Sequence, residues 1–103
     1  MKEITTDDVP EALGPYSQGI VSGGTVYVSG KTGVDPDTGE APESVADQTT
    51  QTLENVAAIL EAAGASADDI VTATVYLTDM DDYDAVNAAY ESFLSKPYPA
   101  RTC

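Results

Sequence analysis

Arg101 is the only arginine and Cys103 the only cysteine in a 103-residue chain of formal net charge -14. They close the stretch Pro97-Tyr98-Pro99-Ala100-Arg101-Thr102-Cys103. In an extended segment, residues two apart point to the same face, which sets a guanidinium beside a thiol. A guanidinium grips a carboxylate through paired N–H donors, so a small-carboxylate site is one reading of Arg101. The other is a cation that merely offsets acidic charge. Tyr16, Ser17, Ser29 and Asn87 are further polar, uncharged residues near the ends of expected elements. No histidine is present, which argues against a transition-metal site and a Ser-His-Asp triad. Paired carboxylates are guaranteed by the composition and carry no information. The glycine-rich stretches match neither GxxxxGK[ST] nor GxGxxG, so no phosphate cradle is indicated.

The elements that must position these residues follow from pattern. The polar segment Met1 to Leu13, with Pro10, reads as an extended arm with room for a short edge strand. Gly14-Pro15-Tyr16-Ser17-Gln18-Gly19 reads as a shaped turn. Ile20 to Ser22 and Thr25 to Ser29 flank Gly23-Gly24 and predict a tight hairpin. Asp35-Pro36-Asp37-Thr38-Gly39 is a turn. Ser44 caps a helix whose stripe is Val45, Thr49, Leu53, Val56, Leu60 and Ala63, and Gly64 ends it. Ile70 to Thr78 alternates: Val71, Ala73, Val75 and Leu77 should face the helices. Thr72, Thr74, Tyr76 and Thr78 form an uncharged outer face, of the kind another subunit covers, although Thr and Tyr also favour strands on their own account. The acidic run Asp79 to Asp84 suits the start of a second helix with the stripe Tyr83, Val86, Tyr90 and Phe93. Pro97 prevents that helix from continuing. The order predicts one domain, a two-layer α+β sandwich.

Eighteen acidic against four basic residues repel polyanions, which argues against nucleic acid and anionic membrane as partners. The same balance suits a high-salt, halophilic cytoplasm. One cysteine fits a reducing, cytoplasmic setting. No apolar run is long enough to span a bilayer, and no hydrophobic leader opens the chain.

The ordered set Gly14-Pro15-Tyr16-Ser17-Gln18-Gly19, Ser29-Gly30, Thr52-Leu53-Glu54-Asn55-Val56, Ala62-Ala63-Gly64, Val86-Asn87-Ala88-Ala89-Tyr90 and Pro99-Ala100-Arg101-Thr102-Cys103 resembles the RidA (YjgF) family of reactive-intermediate deaminases over nearly the entire chain. The resemblance implies a chorismate-mutase-like fold, with a mixed or antiparallel sheet and two helices on one face. It also implies a homotrimer, its sheets around a central barrel and its ligand clefts between subunits. The implied activity is cofactor-free hydrolysis of enamines and imines, such as 2-aminoacrylate, to 2-oxo acids and ammonia. Carried over by position, Arg101 binds the substrate carboxylate and Tyr16 lines the catalytic cleft. Ser29 and Asn87 are polar cleft positions, and Cys103 shapes the site beside the ligand. No metal is implied.

Two positions depart from the family pattern. Lys31 stands where a glutamine is usual. The pattern also continues beyond Cys103 into a further strand bearing a glutamate that positions water, so residues 1–103 are expected to form a C-terminally short domain. A binding-only protein for small carboxylates on the same fold is the second reading. A ribonuclease role, attached to some relatives, suits the charge least.

Overall fold

A computed structural model describes residues 1–103. Five strands and two long helices follow in the order β1 (Lys2–Ile4), β2 (Gly19–Ser22), β3 (Thr25–Val28), α1 (Val45–Ala62), β4 (Thr72–Thr74), α2 (Tyr83–Phe93) and β5 (Ala100–Thr102). Strands β1, β2 and β3 form an antiparallel sheet in that order, while β4 and β5 form a parallel pair. The hairpin forms at Gly23-Gly24, where φ is +58° and +78°, a backbone that only glycine adopts freely. Its register sets Ser22 against Thr25 and Gly19 against Val28.

Helix α1 begins where the Ser44 side chain accepts the Asp47 N–H at 3.1 Å. It ends at Gly64, whose φ is +82°. Its inner face carries Ile59 and Leu60 into the core, and Ile59 packs with Ile4 and Val9 of the N-terminal arm. The arm is held by Gln18, buried beneath it. The Gln18 Oε1 accepts the Thr6 N–H at 2.7 Å and its Nε2 donates to the Thr6 carbonyl at 3.2 Å. A residue expected to sit in a loop is therefore a clamp.

The acidic run before α2 acts as a cap: Asp79 Oδ1 accepts the Asp81 N–H at 2.9 Å, and a short 3-10 turn over Met80–Asp82 leads into the helix. Val86 and Tyr90 are buried on its inner face.

The strand expected from Ile70 to Thr78 is shorter, with ladder geometry only at Thr72–Thr74. There it pairs with β5 at Ala100, Arg101 and Thr102. Ala73, Val75 and Leu77 are half-buried as the alternation requires, but Val71 is 77% exposed. Its position is fixed by its carbonyl, which receives the Ala100 N–H at 3.0 Å, and not by burial of its side chain. The outer Thr72, Thr74, Tyr76 and Thr78 are all exposed. No helix is long and apolar enough to cross a membrane.

Candidate active site

Two prolines lead into β5. Each lacks an N–H, and each holds the residue before it extended. The strand is then pinned from both sides, by Ala100 N–H to the Val71 carbonyl at 3.0 Å and Val75 N–H to the Thr102 carbonyl at 2.8 Å. The register puts Arg101 beside Ala73, on the inward face. The guanidinium therefore reaches back to α2.

There it meets a face built at helical spacing, Tyr83, Asn87 and Tyr90. Arg101 Nη2 donates to Asn87 Oδ1 at 2.7 Å and to the Tyr83 hydroxyl at 3.2 Å. The guanidinium carbon lies 4.9 Å from the centre of the Tyr90 ring and 5.6 Å from that of Tyr83, within cation–π range. Every one of these partners is neutral, so the cationic charge is held but not cancelled. Both hydrogen bonds use Nη2, and neither Nη1 nor Nε bonds within the chain. Asn87, Tyr90, Glu91, Tyr98, Pro99 and Arg101 line a cavity of about 390 Å³. The Tyr90 hydroxyl is buried without a hydrogen-bond partner. Burial raises its pKa, and the nearby Arg101 charge opposes that rise.

A second cleft of about 320 Å³ lies elsewhere on the chain, with Tyr16, Lys31, Glu11 and Asn55 among its walls. Asn55 is almost fully buried, and its Nδ2 donates to the carbonyls of Thr32 at 3.0 Å and Val34 at 2.9 Å. Between those carbonyls, Gly33 packs on α1 so closely that a Cβ there would stand 2.5 Å from the Gln48 carbonyl oxygen. Ser29 closes the base of the turn that carries Tyr16: its hydroxyl donates to the Ser17 carbonyl at 2.5 Å. Burial lowers the pKa of Lys31.

One chain thus brings Arg101 and Asn87 together and sets Tyr16 and Ser29 apart from them. Cys103 lies exposed just beyond β5. Tyr83 and Tyr90, expected only as part of an apolar stripe, are the aromatic walls of the arginine site. The signal for them was their spacing with Asn87 on one helix face, opposite a unique arginine. No three His, Cys, Asp or Glu side chains gather so as to hold a metal ion.

The fold and site define a two-layer α+β domain that presents a guanidinium, held by neutral partners, at a cleft. The family model described as Endoribonuclease L-PSP matches residues 6–103. The 2-iminobutanoate/2-iminopropanoate deaminase of Escherichia coli is 47% identical over 105 residues, covering 99% of this chain and 82% of that protein. The RidA structure from an Antarctic Psychrobacter superposes with a TM-score of 0.95 at 46% identity, covering 99% of this chain and 83% of that one. Escherichia coli TdcF with bound serine gives 0.96 at 44% identity, covering 100% and 84%. The chain belongs to the RidA family.

Proposed function

We propose that this protein hydrolyses reactive 2-imino and 2-enamine acids to 2-oxo acids and ammonia. The observation that carries the reading is Arg101, held by neutral partners through Nη2 alone, with Nη1 and Nε free to receive a carboxylate. That arrangement fixes one end of the substrate and adds a positive charge near the imine carbon. The carbon is already electrophilic, so the protein's task is to orient it and admit one water. An enamine first moves one N–H proton to its β carbon and becomes the imine. The water oxygen then adds to the imine carbon, the C–N bond breaks, and nitrogen leaves as ammonia with the two protons the water supplied. The identity with a 2-iminobutanoate/2-iminopropanoate deaminase supports the substrate class. So does the serine bound to the related TdcF, an amino acid carrying the same carboxylate.

The working unit in this proposal is a homotrimer in a reducing cytoplasm. Its support is the outer face of Thr72, Thr74, Tyr76 and Thr78, which is exposed yet carries no charge, with Tyr76 90% exposed, in a chain with 18 acidic residues. In this reading the cleft lined by Tyr16 and Gly30, next to Ser29, of one copy faces the Arg101 cleft of the next, with Cys103 at the margin. The name of the family model points to RNA cleavage instead, but a net charge of -14 opposes polyanion binding.

Purified protein added to a serine or threonine dehydratase assay is expected to accelerate 2-oxo acid release. Release no faster than without it overturns the reading. RNA cleavage sensitive to Arg101→Ala would favour the ribonuclease name.

A further inference from the structure

Lys31 is one of only four cations in the chain, and it lines the same cleft as Tyr16. Its backbone leads directly into a segment fixed on two sides. Asn55 holds the Thr32 and Val34 carbonyls, and Gly33 rests on the backbone of α1 at Gln48. The base of the lysine is therefore set by the fold. Its ammonium is partly desolvated, which lowers its pKa, and it forms no hydrogen bond or ion pair within the chain. That is unusual where acidic residues outnumber basic ones 18 to 4, because a neutralising partner was available in composition many times over. Glu11, on the same cleft, is exposed and forms no ion pair with Lys31. A desolvated, unpaired ammonium gains most when an anion enters beside it.

We infer that Lys31 is a specificity-determining residue that receives a second, distal carboxylate, so that the site prefers 2-imino dicarboxylic acids over imines with apolar side chains. The inference rests on the proposed deaminase reading, in which Tyr16 of one copy and Arg101 of the next face one ligand. Arg101 takes the carboxylate next to the imine carbon. Lys31, a compact charge on a flexible stem, takes the one at the far end of the side chain. Lys31 forms no bond to the substrate carbon, so the reaction balance is unchanged.

The test uses imines generated in situ by amino-acid oxidases, one from aspartate and one from alanine, with semicarbazide competing for each. The quantity read is the ratio of kcat/KM for the dicarboxylic imine to that for the alanine-derived imine. It is expected to exceed one in the parent protein, to fall roughly tenfold or more in Lys31→Gln, and to be largely kept in Lys31→Arg, as loss of a charge-assisted hydrogen bond requires. Calorimetric titration with succinate against propionate gives a second, non-reactive readout with the same expected order. A ratio that Lys31→Gln leaves unchanged, or that falls equally in Lys31→Arg, overturns the inference. Hydrolysis of the alanine-derived imine with no lysine-dependent preference overturns this inference alone. Acceleration of neither imine overturns the deaminase reading with it.

Discussion

Arg101 Nη2 lies 2.7 Å from Asn87 Oδ1. The amide oxygen orients the guanidinium without cancelling its charge, which a carboxylate at the same place would do. Asn87→Ala is therefore expected to lower kcat/KM for 2-imino acids by roughly tenfold, the worth of one hydrogen bond to a charged group. Asn87→Asp should be the worse variant although it is closer in shape. Its carboxylate pairs with Arg101 and repels the substrate. Arg101→Lys should lose still more, since an ammonium cannot reproduce the planar fork. Steady-state kinetics on the three variants in the dehydratase-coupled assay tests the order. Equal activity of Asn87→Ala and Asn87→Asp would sink the electrostatic account.

Asn55 is expected to govern stability. It is 2% exposed and satisfies two backbone carbonyls from a loop with no strand partner of its own. Asn55→Ala deletes both hydrogen bonds to this partly buried loop, a loss of about 1–3 kcal/mol at the usual net worth of each bond. Asn55→Asp should be no better at neutral pH, because its carboxylate would face two carbonyl oxygens. Urea denaturation reads both, and a loss under 1 kcal/mol would contradict the role given to the amide.

The helices, the hairpin and the place of Arg101 could be read from the sequence because local signals set them: a capping serine, a glycine pair between β-branched runs, a proline stop. Asn55 shows where such reading ends. Nothing in Thr52 to Val56 says that its amide serves carbonyls more than twenty residues earlier, since that partnership exists only once the loop crosses α1. Gln18 is similar, a turn residue by neighbours and a buried clamp by contact. Tyr90 looked like stripe material because it is one, and its second job as a surface for Arg101 depends on how β5 lies over α2.

Gly33→Ala tests the contact between that loop and the helix. The added Cβ would stand 2.5 Å from the Gln48 oxygen and 2.9 Å from its Cα, and both neighbours are backbone. Nothing there can swing aside, so loop or helix must shift, at about 1–3 kcal/mol. A thermal melt should show a drop of several degrees for a domain of this size. An unchanged midpoint would mean that the loop stands off the helix in solution.

Thr74→Glu probes the outer sheet face. Thr74 is exposed in the isolated chain, and a carboxylate there barely touches the protomer's own packing. If copies meet across this face, the added charges converge at the subunit boundary. Light scattering should then show dissociation at low salt, with recovery at high salt as screening suppresses repulsion. An assembly of unchanged mass at low salt would place any interface elsewhere.

Tyr90→Phe combines stability and pH. The phenol is buried with no partner for its oxygen, while its ring supports Arg101. Removing the hydroxyl keeps the ring and deletes the unsatisfied group, which should stabilise the protein by about 1 kcal/mol at neutral pH. The pH sign follows from the shift. Burial raises the Tyr90 pKa above its ordinary value of 10.0, so the folded state holds its proton longer than the unfolded state does. Stability is therefore intact below pH 10 and falls as pH rises through the folded pKa. Lys31, with its lowered pKa, acts oppositely, favouring the folded state as pH climbs toward 10.5, but it is common to both proteins and cancels in their difference. The advantage of Tyr90→Phe should thus be constant from neutral pH to about 9 and widen above 10. Denaturation midpoints taken across that range test it, and a gap that stays flat into the alkaline region would show that the Tyr90 hydroxyl reaches water in the folded protein.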